Sequence, residues 1–152
     1  MSSKNLARTP LKSLNKAYRK QKIDHSEIEL FRKNLKKLLE ELDEQEYEEH
    51  LKNDVTQFLN ETWYKGDYYI NTKDRADLVI HNDNKASSTV GVLLEVKKPS
   101  NKPEMVTKDK LNAKALQELV LYYLRERIEE ENRDIKHIII TNVYEWFIFD
   151  GS

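Results

Sequence analysis

The chain has 152 residues, 38% hydrophobic and 35% charged, which fits a single domain with a strongly solvated surface. Twenty-six basic and 27 acidic residues give a net charge of −1, which excludes a uniformly basic nucleic-acid coat. The absence of cysteine and the presence of only three glycines exclude disulfides, thiolate metal sites and glycine-rich phosphate loops. No apolar run is long enough for a membrane span, and the N-terminus lacks the apolar stretch of a signal peptide. We therefore expect a soluble, cytoplasmic protein with no membrane partner.

The charges are unevenly distributed along the chain. Residues 1–37 hold 11 basic and three acidic side chains, whereas residues 38–61 hold nine acidic side chains and a single base, Lys52. The basic segment either meets a phosphate backbone or forms a solvated helix face or arm, and the sequence leaves both readings open.

Helical patterns occupy the region before residue 65. Ser26 followed by Glu29 resembles a capping box at the start of a helix. Apolar residues then recur at helical spacing in two stripes and predict two helices. The stripes are Phe31, Leu35, Leu38 and Leu42, followed by Tyr47, Leu51, Val55, Phe58 and Thr62. An alternative role for this region, residues 26–63, is partner docking or oligomerisation.

Strand patterns follow, interrupted by one long helix. Residues 110–131 are rich in Leu, Ala and Glu and predict that helix, and the polar stretch 81–89 predicts a hairpin turn. The predicted strands are residues 68–70, 78–80, 90–97, 138–141 and 145–149. This order predicts an α/β or α+β fold with a mixed central β-sheet flanked by helices.

The same patterns suggest how the chain is organised. We assign residues 1–45 to a basic N-terminal arm and helix, and residues 46–152 to the core. Because the sequence stops at Gly151-Ser152, directly after a strand pattern, we expect the chain to be a fragment of a longer protein.

The residues that point to chemistry lie at the ends of two predicted strands. Alternation along a strand places Glu95 and Lys97 on one face, and a hairpin would bring Asp77 beside Glu95. Two carboxylates held close together form an oxygen-ligand site for Mg²⁺ or Mn²⁺. A neighbouring lysine can orient the water that attacks a phosphodiester. The alternative is an ion pair at a strand end, because a Glu-x-Lys tripeptide also arises by chance.

Asp77, followed after a hairpin-sized gap by Glu95-Val96-Lys97, resembles the core of the PD-(D/E)XK nuclease superfamily, with Ala76 in the place of the usual proline. The wider sequence is similar to the N-terminal nuclease domain of fused restriction–modification enzymes called type IIG, and to the N-termini of type I restriction subunits. The segments that carry this wider resemblance are Asn15-Lys16-Ala17-Tyr18, Glu49-His50-Leu51-Lys52, Phe58-Leu59, Asp77-Leu78-Val79-Ile80, Glu95-Val96-Lys97-Lys98-Pro99, Asn112-Ala113-Lys114-Ala115-Leu116-Gln117-Glu118-Leu119 and Thr141-Asn142-Val143-Tyr144-Glu145-Trp146.

The resemblance implies a restriction-endonuclease-like core with an N-terminal helical extension. It implies that Asp77 and Glu95 ligate Mg²⁺, which Mn²⁺ can replace, and that the Val96 carbonyl is a third ligand. In the same scheme Lys97 positions the attacking water.

The resemblance also implies two catalytic residues on helices. For the acid on the first core helix we choose Glu49, with Glu48 as its competitor, because adjacent helical side chains point about 100° apart and only one can face the site. Gln117 on the long helix would lie near the metal and the scissile phosphate. Related families often have a tyrosine four residues later, whereas this sequence has Leu121 there, followed by Tyr122.

The function that the resemblance implies is that of a Mg²⁺-dependent, type IIG-like DNA endonuclease domain in a prokaryotic restriction–modification enzyme. Its partner would be double-stranded DNA, with Lys98 and Lys114 as phosphate contacts, and it would act as a dimer on DNA or by two successive nicks. Methyltransferase and target-recognition domains would belong to a missing C-terminal part. The alternative is a catalytically inactive nuclease-like module that binds DNA or a partner protein.

Overall fold

The structure is a computed structural model that describes residues 7–73 and 76–152. Its helices are α1 (Pro10–Ser13), α2 (Lys16–Lys20), α3 (His25–Glu41), α4 (Glu48–Leu59), which a π-helical turn (Asn60–Tyr64) extends, and α5 (Lys114–Ile128). Its strands are β1 (Ile70–Lys73), β2 (Ala76–His81), β3 (Val90–Val96), β4 (His137–Thr141) and β5 (Trp146–Asp150). The predicted α+β class is confirmed.

The five strands form one sheet in the order β1-β2-β3-β4-β5. The pairs β1–β2, β2–β3 and β4–β5 are antiparallel, and β3–β4 is parallel. A parallel pair needs a crossover connection, and α5 provides it between β3 and β4. The mixed central sheet predicted from the sequence is therefore present, with the predicted hairpin as its β2–β3 pair.

Apolar side chains cover both faces of the sheet. On one face Leu93 belongs to a core that includes Leu119 of α5. On the other face Leu94 belongs to a core that includes Val55 and Phe58 of α4. Because successive side chains of a strand point to opposite faces, neighbouring β3 residues pack into different cores. The sheet is thus held between α4 and α5, and its strand ends lie within reach of both helices.

Two helix starts differ from the sequence prediction. α3 begins at His25 with Asp24 as N-cap, so Ser26 lies inside its first turn and the predicted capping box is wrong. Asp24 has the extended backbone that an N-cap requires, and its carboxylate suits the positive end of the helix dipole. α5 is shorter than predicted because the backbone of Ala113 is extended, which delays the helix until Lys114.

The basic N-terminal segment begins outside the described residues, and its residues 7–24 contain the short helices α1 and α2 and precede α3. No residue of either helix is buried. Within the ranges that the structure describes, no helix has the length and apolar character needed to cross a membrane.

Candidate active site

The β2–β3 hairpin brings two acidic side chains together. Leu78 pairs with Leu94, and the same register places Asp77 opposite Glu95 one residue further along. Both acids lie in the interior, with exposed fractions of 8% for Asp77 and 2% for Glu95. Asp77 Oδ2 accepts a hydrogen bond of 2.8 Å from the backbone N–H of Val96, which holds the carboxylate against β3. Two buried carboxylates therefore share one end of the hairpin.

Lys97 directly follows β3 and places its ammonium group among carboxylates from different parts of the chain. Its Nζ lies 3.1 Å from Glu95 Oε1, 3.0 Å from Glu118 Oε2 and 3.3 Å from Glu104 Oε2. Glu48 Oε1 lies further away, at 3.9 Å. Burial acts to lower the pKa of Lys97, but hydrogen bonding to Glu118 and the charge of Glu95 outweigh it and raise that pKa. The side chain is therefore a permanent cation at neutral pH.

The environment of Glu95 raises the pKa of its carboxyl group to about 9. Burial raises its pKa, and the negative charge of Asp77 and a hydrogen bond shared with Glu118 raise it further against the influence of Lys97. The pKa of Glu118 is lowered, because its hydrogen bonds with Glu95 and Lys97 outweigh the effect of its own burial. Among the described residues, no N–H or hydroxyl group donates to the buried Glu95 Oε2, and the hydrogen bond with Glu118 requires a proton on one of the two carboxyl groups. A proton or a cation is what stabilises such an oxygen.

Lys52 of α4 is a site residue that the sequence reasoning missed. Its Nζ lies 2.7 Å from Asp77 Oδ1 and 2.8 Å from Glu49 Oε1. Burial acts to lower the pKa of Lys52, but its hydrogen bonds to Asp77 and Glu49 outweigh this effect and raise the pKa. A signal was present in the sequence, since Lys52 is the only base between residues 38 and 61. A lone cation in an acidic helix is a candidate partner for a buried carboxylate.

Glu48 and Glu49, the two candidates for the acid on the first core helix, point in different directions. Glu48, with its side chain 30% exposed, faces Lys97. The side chain of Glu49 is 74% exposed and reaches the site only through Lys52. Successive residues of a helix point about 100° apart, so Glu48 points toward the ammonium group of Lys97 and Glu49 toward the rim of the site. A catalytic role for either glutamate stays a prediction.

On α5 the structure places Glu118 at the site, and Gln117 next to it faces outward. Gln117 is exposed and donates a hydrogen bond of 3.0 Å to Asn112 Oδ1. Glu118 contacts Lys97, and Tyr122 lies one helical turn further on. Burial, followed by the charges of Glu95 and Glu118, raises the pKa of Tyr122, which identifies it as a neighbour of the carboxylates. Glu118 and Tyr122 are four residues apart, and this spacing is the sequence pattern that could have identified the face of α5 that meets the site.

The remaining predicted residues lie around this centre. Lys114 is half-exposed, and its Nζ contacts Glu104 Oε1 at 2.8 Å and Glu118 Oε1 at 3.7 Å. Hydrogen bonds from Lys114 and Asn101 lower the pKa of Glu104 to about 2. Lys98 is partly buried just beyond β3. Neither lysine has a tested DNA contact, and both assignments stay predictions.

The donor set at the hairpin end fits a hard divalent cation. Within residues 7–73 and 76–152, no group of three or more His, Asp or Glu side chains forms a ready-made metal site. Magnesium, however, is commonly held by one or two carboxylates and retains several waters. Asp77 and Glu95 supply such a pair of carboxylates, and the buried Glu95 Oε2 is the oxygen that a cation would neutralise. The role of the Val96 carbonyl as a third ligand stays a prediction.

The fold and the site together define an α+β protein with a buried carboxylate–lysine cluster at the ends of two antiparallel strands. A family model described as "Domain of unknown function (DUF7149)" matches residues 8–152. The chain therefore belongs to the DUF7149 family. No curated protein and no solved structure matches it.

Proposed function

We propose that this chain is a divalent-cation-dependent nuclease domain that hydrolyses phosphodiester bonds at the Asp77–Glu95–Lys97 cluster. The single observation that carries the proposal is the Glu95 carboxylate, which is buried beside Asp77 and has one oxygen to which no N–H or hydroxyl group donates among the described residues. A purely structural ion pair gains stability when both carboxylate oxygens are satisfied. Asp77 and Glu95 would hold the cation.

When bound, a divalent cation supplies an activated nucleophile and offsets charge on the phosphoryl oxygens. The chain's own residues then have separate tasks. Lys97, as a permanent ammonium, donates hydrogen bonds to the attacking water or to a phosphate oxygen and does not accept a proton. Lys52 and the Val96 N–H hold the two oxygens of Asp77 in place. Glu118 holds the ammonium group of Lys97 in the absence of substrate, and a bound phosphate would compete with Glu118 for that group.

The proposed substrate is double-stranded DNA, and the proposed setting is a prokaryotic, cytoplasmic restriction–modification enzyme of type IIG-like organisation. The support for this finer assignment is the sequence resemblance. In that setting the methyltransferase and target-recognition functions belong to further domains, and two copies acting on DNA would cut both strands.

The test is nicking of supercoiled plasmid in Mn²⁺, in Mg²⁺ and in EDTA. We expect metal-dependent nicking by the wild type, and a loss of at least roughly hundredfold in rate for Asp77→Asn, Glu95→Gln and Lys97→Met, as expected for removing a group that stabilises the transition state. Circular dichroism of each variant establishes that it is folded.

Glu126→Gln is the matched control. Glu126 is also buried, and its Oε1 lies 2.7 Å from the Nζ of Lys73, but it belongs to the other end of α5. We expect this variant to nick plasmid like the wild type. Nicking that survives in Glu95→Gln would refute the site. Metal-independent DNA binding without nicking would refute the nuclease and favour the inactive binding module.

A further inference from the structure

The described N-terminal arm, residues 7–24, carries six basic side chains and a single acid, Asp24, at its C-terminal end. No acidic residue occurs between positions 7 and 23, and every residue of the arm is exposed. Its basic side chains are Arg8, Lys12, Lys16, Arg19, Lys20 and Lys22. Four of them recur every fourth residue, so the charge is spread along the whole arm.

The charge of the arm is uncompensated, in contrast to that of the helix that follows it. In the described residues, no side-chain ion pair within 4.0 Å joins a base of the arm to an acid, and Arg19 donates to the backbone carbonyls of Leu14 and Lys12. The bases of α3 include three that are paired with acids. These pairs are Arg32–Glu29, Lys36–Glu40 and Lys37–Glu61, at 3.3, 3.7 and 3.9 Å. In the described residues, the bases of the arm therefore keep their positive charges available to an external anion.

Local hydrogen bonds order the arm although it buries nothing in the core. Thr9 caps α1 by accepting from the Lys12 N–H at 3.4 Å, and Asn15 caps α2 by accepting from the Ala17 N–H at 2.9 Å. The bonds from Arg19 to the backbone join the two short helices. A partly preorganised arm loses less conformational entropy when it binds a partner.

We propose that this arm binds the phosphate backbone of a nucleic acid. Neutralising phosphates with lysine and arginine releases condensed counterions, and this release is the main source of sequence-independent affinity. An anionic membrane is the weaker reading, because a surface-bound helix needs a continuous apolar face. Here the extended residues Leu14 and Gln21 end α1 and α2 after four and five residues. The inference rests on the proposed function for its substrate, since it names the DNA-holding surface of that nuclease.

The experiment compares two triple variants of the full chain. Lys12→Gln, Lys16→Gln and Lys20→Gln together remove three unpaired charges from the arm, whereas Arg32→Gln, Lys36→Gln and Lys37→Gln together remove three paired charges from α3. Binding to a fluorescein-labelled DNA duplex of arbitrary sequence is measured by anisotropy in EDTA over a series of KCl concentrations. EDTA prevents metal-dependent cleavage during the titration.

For the arm variant we expect roughly tenfold or greater weakening at physiological salt, and a plot of log K against log[KCl] that is shallower by about 3. The α3 variant should keep an affinity within about threefold of the wild type and most of the wild-type slope. Equal losses in the two variants, or no loss in the arm variant, would overturn the inference. The inference would also be overturned if the arm variant kept the DNA affinity of the wild type and lost affinity only for phosphatidylglycerol–phosphatidylcholine vesicles.

The outcomes separate this inference from the proposed function. Normal DNA binding by the arm variant, with nicking that depends on Glu95, would refute the proposed role of the arm and would still support the nuclease proposal. Weakened, salt-shifted binding by the arm variant, with no nicking by the wild type, would support the arm and refute the nuclease.

Discussion

Glu95 shows how one buried carboxyl group links stability to pH. Burial, Asp77 and Glu118 all raise its pKa, so the folded protein holds a proton there that the unfolded chain has already released. Between the two pKa values the native state binds more protons than the unfolded state, and the free energy of unfolding then falls as the pH rises.

The first prediction is a stability profile that Glu95→Gln flattens. For the wild type, the free energy of unfolding should decline between the ordinary pKa of 4.5 and about 9. The slope from one proton is at most about 1.4 kcal/mol per pH unit. Glutamine cannot ionise, so this part of the decline should disappear. Urea unfolding at pH 5, 7 and 9 measures it, and parallel profiles for the two proteins would contradict the assigned pKa shift.

A second prediction concerns Lys97, whose ammonium group is the cation at the centre of the cluster. Lys97→Met leaves Glu95, Glu104 and Glu118 without that cation, and removing one partner of a buried pair typically costs about 3–5 kcal/mol. We expect a loss of this size at pH 8 and a similar loss at pH 5, because the lowered pKa values of Glu104 and Glu118 keep both carboxylates ionised at either pH.

The control for Lys97 is Lys114→Met, because Lys114 also contacts Glu104 and Glu118 but is half-exposed. Solvent screens that interaction, so the destabilisation should be much smaller. Chemical denaturation of both variants at the two pH values provides the comparison. Equal losses would mean that the burial of Lys97 does not set its contribution.

At the scale of elements, the β4–β5 turn combines backbone strain with core packing. Val143 has a φ of 78°, in the left-handed region that β-branched residues rarely adopt. It is nevertheless buried in the core beside α4, and its N–H donates a hydrogen bond of 2.9 Å to Thr141 Oγ1. The free energy gained by burying the valine side chain offsets the cost of the unfavourable backbone conformation.

The third prediction tests that balance by comparing alanine with glycine at position 143. Alanine removes packing and keeps the unfavourable φ, whereas glycine relieves a strain of about 1–2 kcal/mol. We expect Val143→Gly to be at least as stable as Val143→Ala. At Val79, on the ordinary extended backbone of β2, glycine should be less stable than alanine by about 1 kcal/mol. The same ranking of glycine and alanine at both positions would contradict the strain at Val143. Thermal unfolding of the four variants measures it.

For the molecule as a whole, local sequence patterns predicted the elements better than the contacts between them. Strand alternation sufficed to expect the β2–β3 hairpin and the meeting of Asp77 with Glu95. It did not identify Lys52 or Glu118, because their contacts depend on how α4 and α5 are rotated against the sheet. A difference of one helical position separates Glu118 from the outward-facing Gln117, and that rotation is decided by tertiary packing.

The last prediction joins the site to the stability of the whole fold. A cation that binds only the folded protein stabilises it by mass action, by about 2.7 kcal/mol at a hundredfold excess over the Kd. For a domain of this size that corresponds to a rise in Tm of roughly 5–10 °C in Mn²⁺ or Mg²⁺. Because a cation must displace the proton from Glu95, the rise should be larger at pH 8 than at pH 6.

Scanning calorimetry with and without metal measures this rise in Tm, and Glu95→Gln should abolish it while Glu126→Gln retains it. A rise that is the same in Glu95→Gln would place the cation elsewhere on the molecule. A rise that is independent of pH would mean that no proton leaves Glu95 when the cation binds, because linkage requires a proton that is released on binding to appear in the pH dependence.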